Sequence, residues 1–272
     1  MAVNVEYTDT VPVITGTEDH FAYVVSEDGT YEGDDVVKEG KAGNWLCIVL
    51  EGHADIVRET PKGPVRIVRL GPGAMVGSMA SMYTVKSHRS ATLIARAGLV
   101  LGTLNIQRIH PEFQRISPDL HNIVLGLDKR LKEVTQRVVD THLGQLNLND
   151  FTRDKKLVVK QGTADPKLSF ITEGSVAVVQ TRQKGHIPLA TLAQNDFIGP
   201  LPFADMGHEP AAASVLASAD CKTAPVDVEA LKMEFQQASV MVKAFVEHVA
   251  ACIRATTSLA GEPEKIAAAQ KG

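Results

Sequence analysis

Short runs in which apolar and polar residues alternate, or β-branched residues follow one another, fill the chain after position 40: Leu46 to Leu50, Ala54 to Arg58, Val65 to Leu70, Ser90 to Ala95 and Val100 to Leu104. Gly, Pro and Asn turns separate them. Side chains alternate faces along a strand, so runs of this length and spacing predict an all-β barrel or roll. Gly40, Gly52 and Gly63 each stand at a run boundary, where a turn needing positive φ favours glycine. The period then changes. Ser117-Pro118-Asp119 combines an N-cap, a Pro at the first helical position and an early acid. Leu120, Val124, Leu127, Leu131, Val134 and Val138 follow in steps of four and three, which predicts a long helix with an apolar seam.

The same order recurs. Val37-Lys38-Glu39-Gly40 returns as Val159-Lys160-Gln161-Gly162, a shift of 122 residues that also carries Leu46 to Leu168, Glu51-Gly52 to Glu173-Gly174 and Lys62-Gly63 to Lys184-Gly185. It continues through Leu70 and Leu192, Gly77 and Gly199, Ala91 and Ala213, Ala95 and Ala217, and Phe113 and Phe235 without insertion or deletion. A second helix follows the second copy, with Ala238, Val242, Phe245, Val249 and Cys252 on its seam and an end near Gly261-Glu262-Pro263. The period places one domain over residues 1–146 and another over 147–272. The two seams pair within one chain, or each pairs with its equivalent in a second chain, or each lies on its own roll. Lys265 to Gly272 read as a frayed tail.

Composition narrows the function. At 272 residues and 44% hydrophobic the chain is long enough for two ordinary cores, and a net charge of -4 lacks the basic excess of a phosphate-backbone binder, so direct nucleic-acid binding is not expected. Cys47, Cys221 and Cys252 form no CxxC or Cys/His pattern and read as small buried hydrophobes in a reducing compartment. Met1 to Thr10 has no basic region or apolar run, and no stretch reaches the roughly 18 apolar residues of a membrane span, so a soluble cytoplasmic protein without a membrane partner is expected. His53, His88, His121 and His142 are scattered, with no HxH pair, which argues against a metal-dependent enzyme of the small-barrel type. No GxSxG, Walker or dinucleotide-type glycine loop is present, and Gly71-Pro72-Gly73 reads as a turn. No catalytic residue, cofactor or metal is assigned.

With rolls, glycines and trailing helices in place, Gly33-Asp34-Asp35-Val36-Val37-Lys38-Glu39-Gly40 and Leu46-Cys47-Ile48-Val49-Leu50-Glu51-Gly52 resemble the first half of a cyclic-nucleotide-binding domain. Gly77-Ser78-Met79-Ala80-Ser81-Met82 and Ser87-His88-Arg89-Ser90-Ala91-Thr92 resemble its phosphate-binding cassette. The resemblance covers most of residues 30–140 and, more weakly, 151–260. Catabolite-activator-type transcription factors, protein kinase A regulatory subunits and gated channels share this module. It implies a mainly β fold with helices (α+β): two tandem cupin-like β-rolls of the jelly-roll type, each followed by a long α-helix.

The resemblance also implies a site. A short helix starting after Gly77 would aim the N–H groups of Met79 and Ala80 at an anion, with Arg89 adding a two-pronged charged contact and Ser90 a hydroxyl. Where the family carries a Glu after the cassette glycine to hold the ribose, this chain has Ser78, which weakens or reroutes ribose recognition. Cyclic AMP, cyclic GMP, a cyclic dinucleotide or another phosphate-bearing metabolite are therefore the candidate ligands. Thr135 and Gln136 fall where activator-type members cap the base, and they equally fit the solvated flank of the helix seam. In the second copy the cassette reads Gly199-Pro200-Leu201-Pro202-Phe203, with Pro210 and Ala211 opposite His88 and Arg89, so a roll that binds no nucleotide is expected there.

The second roll occupies the place of a helix-turn-helix, which argues against promoter binding. Residues 1–36 contain no Lys or Arg, so a basic pseudosubstrate is not expected either. Two readings remain. In one, the first roll senses a nucleotide and its trailing helix relays this to a protein partner or a subunit interface, including self-association as a dimer through the long helices. In the other, the chain is a ligand-free scaffold in which Arg89 is a structural ion-pair residue. Retention of Arg89-Ser90 beside Gly77 in one copy, and the loss of that pair to Ala211-Ala212 in the other, favours the sensor.

Overall fold

The polypeptide begins with β1 (Asn4–Glu6) and β2 (Val13–Thr15), which pair antiparallel, a 3-10 turn at Phe21–Tyr23, and β3 (Val24–Tyr31). The repeated part follows as β4 (Asp35–Val37), β5 (Cys47–Glu51), β6 (Ala54–Arg58), β7 (Val65–Leu70), β8 (Met75–Val76), β9 (Thr92–Ala95) and β10 (Leu99–Leu104). The structure, a computed structural model, describes residues 3–8, 10–31, 35–43, 45–77, 88–163, 167–183, 185–207 and 212–270. The expected strands all form, although the run starting at Ser90 becomes a strand only from Thr92.

These strands make two facing sheets, ordered β1-β2-β7-β6-β9-β4 and β3-β10-β5-β8. In β7, Val65, Ile67, Val68 and Leu70 are buried while Arg66 and Arg69 are half-buried, the alternation being broken where the register with β6 shifts between Arg66 and Val68. Gly40, Gly52 and Gly63 take positive φ at the predicted turns. On the outer face Asp55 is buried among Arg66, Arg69 and Arg96, with its carboxylate 2.7 Å from Arg69 Nε and 2.7 Å from Arg96 Nη2.

Two helices close the first roll: α1 (Ile106–Gln114) and α2 (Pro118–Leu143). Ser117 caps α2 as predicted, accepting from the Leu120 N–H at 3.2 Å, and Gly144 ends it in the left-handed conformation. A short α3 (Leu148–Thr152) leads into the second roll: β11 (Lys155–Val159), β12 (Ser169–Glu173), β13 (Val176–Arg182), β14 (Gly185–Leu192), β15 (Phe197–Ile198), β16 (Ser214–Ser218) and β17 (Lys222–Pro225). Its sheets run β11-β16-β13-β14 and β15-β12-β17. Then come α4 (Val228–Gln237), α5 (Val240–Leu259) and α6 (Pro263–Ala269). The 122-residue shift superimposes β5 on β12 and β8 on β15 residue for residue, and it carries the Ser117 cap to the Ser239 cap of α5.

The helix seams pair within the chain. At one end Phe113 meets Phe245 edge-on at 5.9 Å, and Ser117 N–H and Oγ–H both donate to Glu234 at 2.6 Å; at the other, the Gly261 N–H donates to Thr141 Oγ1 at 3.1 Å. α2 and α5 therefore run side by side in the same direction, and one hydrophobic cluster extends through both rolls. Leu120, Val124, Leu127, Val134 and Val138 are buried in it, whereas Leu131 is partly buried at its edge. α5 is buried on nearly every side because α2 and the first roll pack on it, while Arg182 and Asp205 of its own roll bond to the Thr257 carbonyl and to Arg254.

Two expectations are corrected. Residues 265–270 are not a frayed tail: Pro263 starts α6, Ile266 and Ala269 are fully buried against the first roll, and the Gln270 side chain accepts from the Arg66 N–H at 2.9 Å. Cys221 is only half-buried, since it sits in the turn before β17, while Cys47 and Cys252 are buried.

Candidate ligand-binding site

The first roll encloses a cavity of about 130 Å³ between its sheets and the long helices. Its sides are apolar, formed by Val37, Ile56, Leu70, Met75 and Leu93. Gly77, His88, Arg89 and Ser90 line one end.

Backbone hydrogen bonds fix Arg89: its N–H donates to Lys41 O and its carbonyl accepts from the Gly40 N–H, both at 2.9 Å. The turn at Gly40 thus anchors the segment that presents the guanidinium. Nη2 donates to Trp45 O at 2.9 Å, and the guanidinium carbon lies 4.2 Å from the Trp45 ring centroid. Gly43 permits this approach, because a Cβ there would fall 2.1 Å from Arg89 Nε. Among the described residues no carboxylate pairs with Arg89, and burial lowers its pKa from the ordinary value, so the site holds a partly desolvated cation. Gly77 faces it with φ +129, its Cβ position 3.5 Å from Arg89 Nη1. Ser78, Met79 and Ala80, with the short helix expected there, lie outside the described residues. Ser90 and His88 are exposed at the mouth.

Along one side, Arg58 donates to Glu39 Oε1 at 2.9 Å and to Gln136 Oε1 at 3.2 Å. Gln136 also donates to Asp140 at 2.9 Å, so both ends of its amide are engaged, and it does not itself line the cavity. Thr135, one residue earlier, is buried and does line the cavity, together with Leu131, Lys132 and Asp128 of α2. Lys132 Nζ lies 2.7 Å from Asp128.

One wall is not anticipated by the sequence. His248, Cys252 and Thr256, one stripe of α5 at i, i+4 and i+8, enter the cavity of the other roll. All three are buried. Burial, with the His20 ring nearby, pushes the His248 imidazole down to about 4, against a smaller upward pull from the Met75 backbone, so the ring is neutral near pH 7. Its Nε2 lies 3.4 Å from Cys252 Sγ, whose thiol burial raises to about 12. Thr256 Oγ1 is buried without a hydrogen-bond partner, and the His248 ring lies against the Met75 backbone. The sequence signal for this wall was the apolar and small composition of α5 on all faces, which demands more than one packing partner.

The second roll differs at each corresponding place. Leu201 and Ala204 bridge across a turn in the Gly199-Pro200-Leu201-Pro202-Phe203 segment, and Phe203 stacks on Phe235 with centroids 3.9 Å apart. Pro210 and Ala211 lie outside the described residues. Arg130 of α2 is buried here, with its guanidinium 4.1 Å from the Phe197 ring centroid and hydrogen-bonded to the Phe197 carbonyl, beside a Lys129–Asp196 ion pair. Among the described residues there is no cluster of three metal-ligating side chains, and no helix is long and apolar enough to cross a membrane.

Comparison with known proteins gives the following. The sequence profile of the cyclic nucleotide-binding domain matches twice, over residues 31–115 and 150–238. The cAMP-dependent protein kinase regulatory subunit of Yarrowia lipolytica is 26% identical over 201 residues, covering 71% of this chain and 49% of that protein. Its namesake in Dictyostelium discoideum is 26% identical over 210 residues, 72% of this chain and 61% of that protein. The chain thus spans only about half to three-fifths of the length of these relatives. Among solved structures, the regulatory domain of Toxoplasma gondii PKA with cAMP aligns over 80% of this chain and 82% of its own, at 20% identity and a TM-score of 0.29.

Proposed function

This chain belongs to the cyclic nucleotide-binding domain family, and from that premise we propose that it is a non-catalytic regulatory protein whose first roll, within residues 1–146, binds a cyclic nucleotide. The observation that carries the reading is Arg89: a half-buried guanidinium, held by Trp45 and facing Gly77, at the open end of an apolar cavity. A phosphate supplies the charge that this cation lacks, and Ser90 stands at the mouth to add a hydroxyl. Ser78, Met79 and Ala80 belong to the same proposed phosphate end. Thr135 is the helix residue placed to meet the base side, whereas Gln136 is tied to Arg58 and Asp140. Cyclic AMP is the first ligand to test, because relatives and solved neighbours carry it in their names. Ser78 in place of an acidic ribose contact keeps cyclic GMP and a cyclic dinucleotide in the comparison.

The relay follows from packing. α2 walls the cavity through Asp128, Leu131, Lys132 and Thr135 and packs along α5, so an occupant that displaces α2 changes how residues 147–272 are held, and through them a protein partner. One observation favours the scaffold alternative: about 130 Å³ is below the roughly 300 Å³ at which small-molecule pockets usually begin, so a nucleotide must widen the cavity. Isothermal titration with the three nucleotides, against wild type and Arg89→Ala, decides. Saturable binding at one site per chain that Arg89→Ala abolishes is the expected result. No binding to the wild-type chain refutes the sensor and leaves the scaffold.

A further inference from the structure

Charge is unevenly divided along the chain. Residues 1–36 hold nine Asp and Glu and no Lys or Arg, so the remainder of a chain of net charge -4 carries +5. Opposite charges on one polypeptide draw the acidic part of one copy toward the basic part of another wherever both are exposed. Two sheet edges meet that condition.

The first is β3 (Val24–Tyr31), the end strand of the β3-β10-β5-β8 sheet, which pairs with β10 alone among the described residues. Its other side presents an open row of backbone donors and acceptors. Val25, Ser26 and Glu27 are exposed there, Val25 by 60%. The second edge is β11 (Lys155–Val159), the end strand of the β11-β16-β13-β14 sheet, paired with β16 alone among the described residues. Leu157 and Val158 are 57% and 56% exposed, the one adjacent pair of exposed large apolar side chains among the described residues, and the exposed Lys156 and Lys160 flank them. Successive side chains of a strand point to opposite faces, so β11 is bare on both.

The repeat shows that this bareness belongs to the second roll. The 122-residue shift puts Lys155-Lys156-Leu157-Val158 where the first copy has Gly33-Asp34-Asp35-Val36, so the charge of the edge is reversed, and Val36 is half-buried against the core where Val158 is exposed. Lysines on an edge strand commonly serve only to repel other strands. Here they repel a second β11 and attract an acidic strand, as the acids of β3 repel a second β3. The unlike combination, β3 against β11, is the one that charge favours. β4 follows an acidic stretch too, but it has only three residues and Val37 is turned into the core, whereas the eight residues of β3 span all five of β11.

We infer that β3 of one copy of this chain adds to β11 of another, joining the first roll of one molecule to the second roll of the next. Backbone hydrogen bonds would extend the sheet, Val25, Leu157 and Val158 would lose exposed apolar surface, and Glu27 would face the lysines. None of these residues lines the cavity of the first roll, so the contact is separate from the nucleotide site. It also leaves α2 and α5 paired within the chain.

The test is sedimentation velocity of the full chain over a range of protein concentrations, at about 50 mM and about 500 mM salt, since added salt screens exposed charges. Wild type should form species heavier than the monomer at low salt and shift toward monomer at high salt; a contact between unlike surfaces gives closed rings or growing chains of copies, and either supports the inference. Lys156→Glu and Glu27→Lys, both at exposed positions, should each weaken association about two- to thirtyfold by turning an attractive cross-strand pair into a repulsive one, with the melting temperature unchanged. The double variant restores opposite charges and should associate as wild type does. A wild-type chain that stays monomeric at low salt overturns the inference and leaves β11 to some other partner. So does association that neither reversal weakens, or that the double variant fails to regain. Stronger association of Lys156→Glu would assign the contact to two β11 edges and overturn it as well.

Discussion

Acidification should destabilise the chain through His248 in a window that the structure defines. The imidazole is buried between α5 and the first roll, with Cys252 on its own helix, the Met75 backbone opposite and the His20 ring close by. Its pKa falls from 6.5 to about 4, with burial as the largest cause. Between those values the unfolded chain binds a proton at this position and the folded chain does not, so stability falls as pH drops from about 6.5 toward 4 and levels off below. A depression from 6.5 to about 4, at about 1.4 kcal/mol per unit, gives between about 3 and 4 kcal/mol. Spread over a chain of this size, that is a loss of about 7–14 °C in melting temperature. His20 is also pushed down by burial and adds to the trend, while burial raises Glu247 and opposes it. The informative quantity is therefore the difference between wild type and His248→Leu, followed by thermal melts from pH 7.5 to 4. The wild type should lose more stability than the variant across that range. Parallel curves would show that the ring is not buried neutral, and the packing of α5 against the first roll would have to be redrawn.

Two further predictions concern what holds that arrangement. Asp55→Ala removes the buried acceptor shared by Arg66, Arg69 and Arg96; because the three arginines stay partly solvated, the cost should be about 2–3 kcal/mol, at or below the low end for a broken buried ion pair, read by urea denaturation. A change under about 0.5 kcal/mol would mean that the arginines are satisfied by water and that this cluster does not stiffen the sheet. Ile266→Ala in α6 should cost about 2–4 kcal/mol, since the side chain is fully buried against the first roll, and a melt indistinguishable from wild type would restore the frayed-tail expectation.

How much of this was legible depended on whether the signal was local. Ser117 capping α2 and the turns at Gly40, Gly52 and Gly63 are set by residues a few positions apart, the 122-residue register can be read by comparing one stretch of sequence with another, and each appears as expected. The tail was misread because Ile266 and Ala269 supply too short an apolar stripe to register as a helix until the outer face of β7 and Arg66 are there to receive it. The ends of the site show the same divide. Gly77, Arg89 and Ser90 could be named because they sit in one cassette-like segment, and Thr135 because it follows that segment at a fixed distance on the roll's own helix. Gln136 reads in sequence like Thr135, yet its amide is held by Arg58, 78 residues earlier, and by Asp140, and only Thr135 lines the cavity.

The α5 wall is the clearest case of information that no local pattern holds. α5 announces that it is buried on all sides, but nothing within Val240–Leu259 says that one of its faces belongs to the first roll. That follows only from pairing with α2, which places two helices from two repeats side by side so that each crosses toward the other's roll. Once they cross, the fate of each site turns on three positions per helix. Gly126 admits the Phe197 ring and Arg130 covers it, filling one end of the second roll. His248, Cys252 and Thr256 instead stand on the wall of the first roll's cavity. A duplicated sequence has thus become structurally asymmetric less through the rolls, whose strands still correspond under one shift, than through the helices that lie between them.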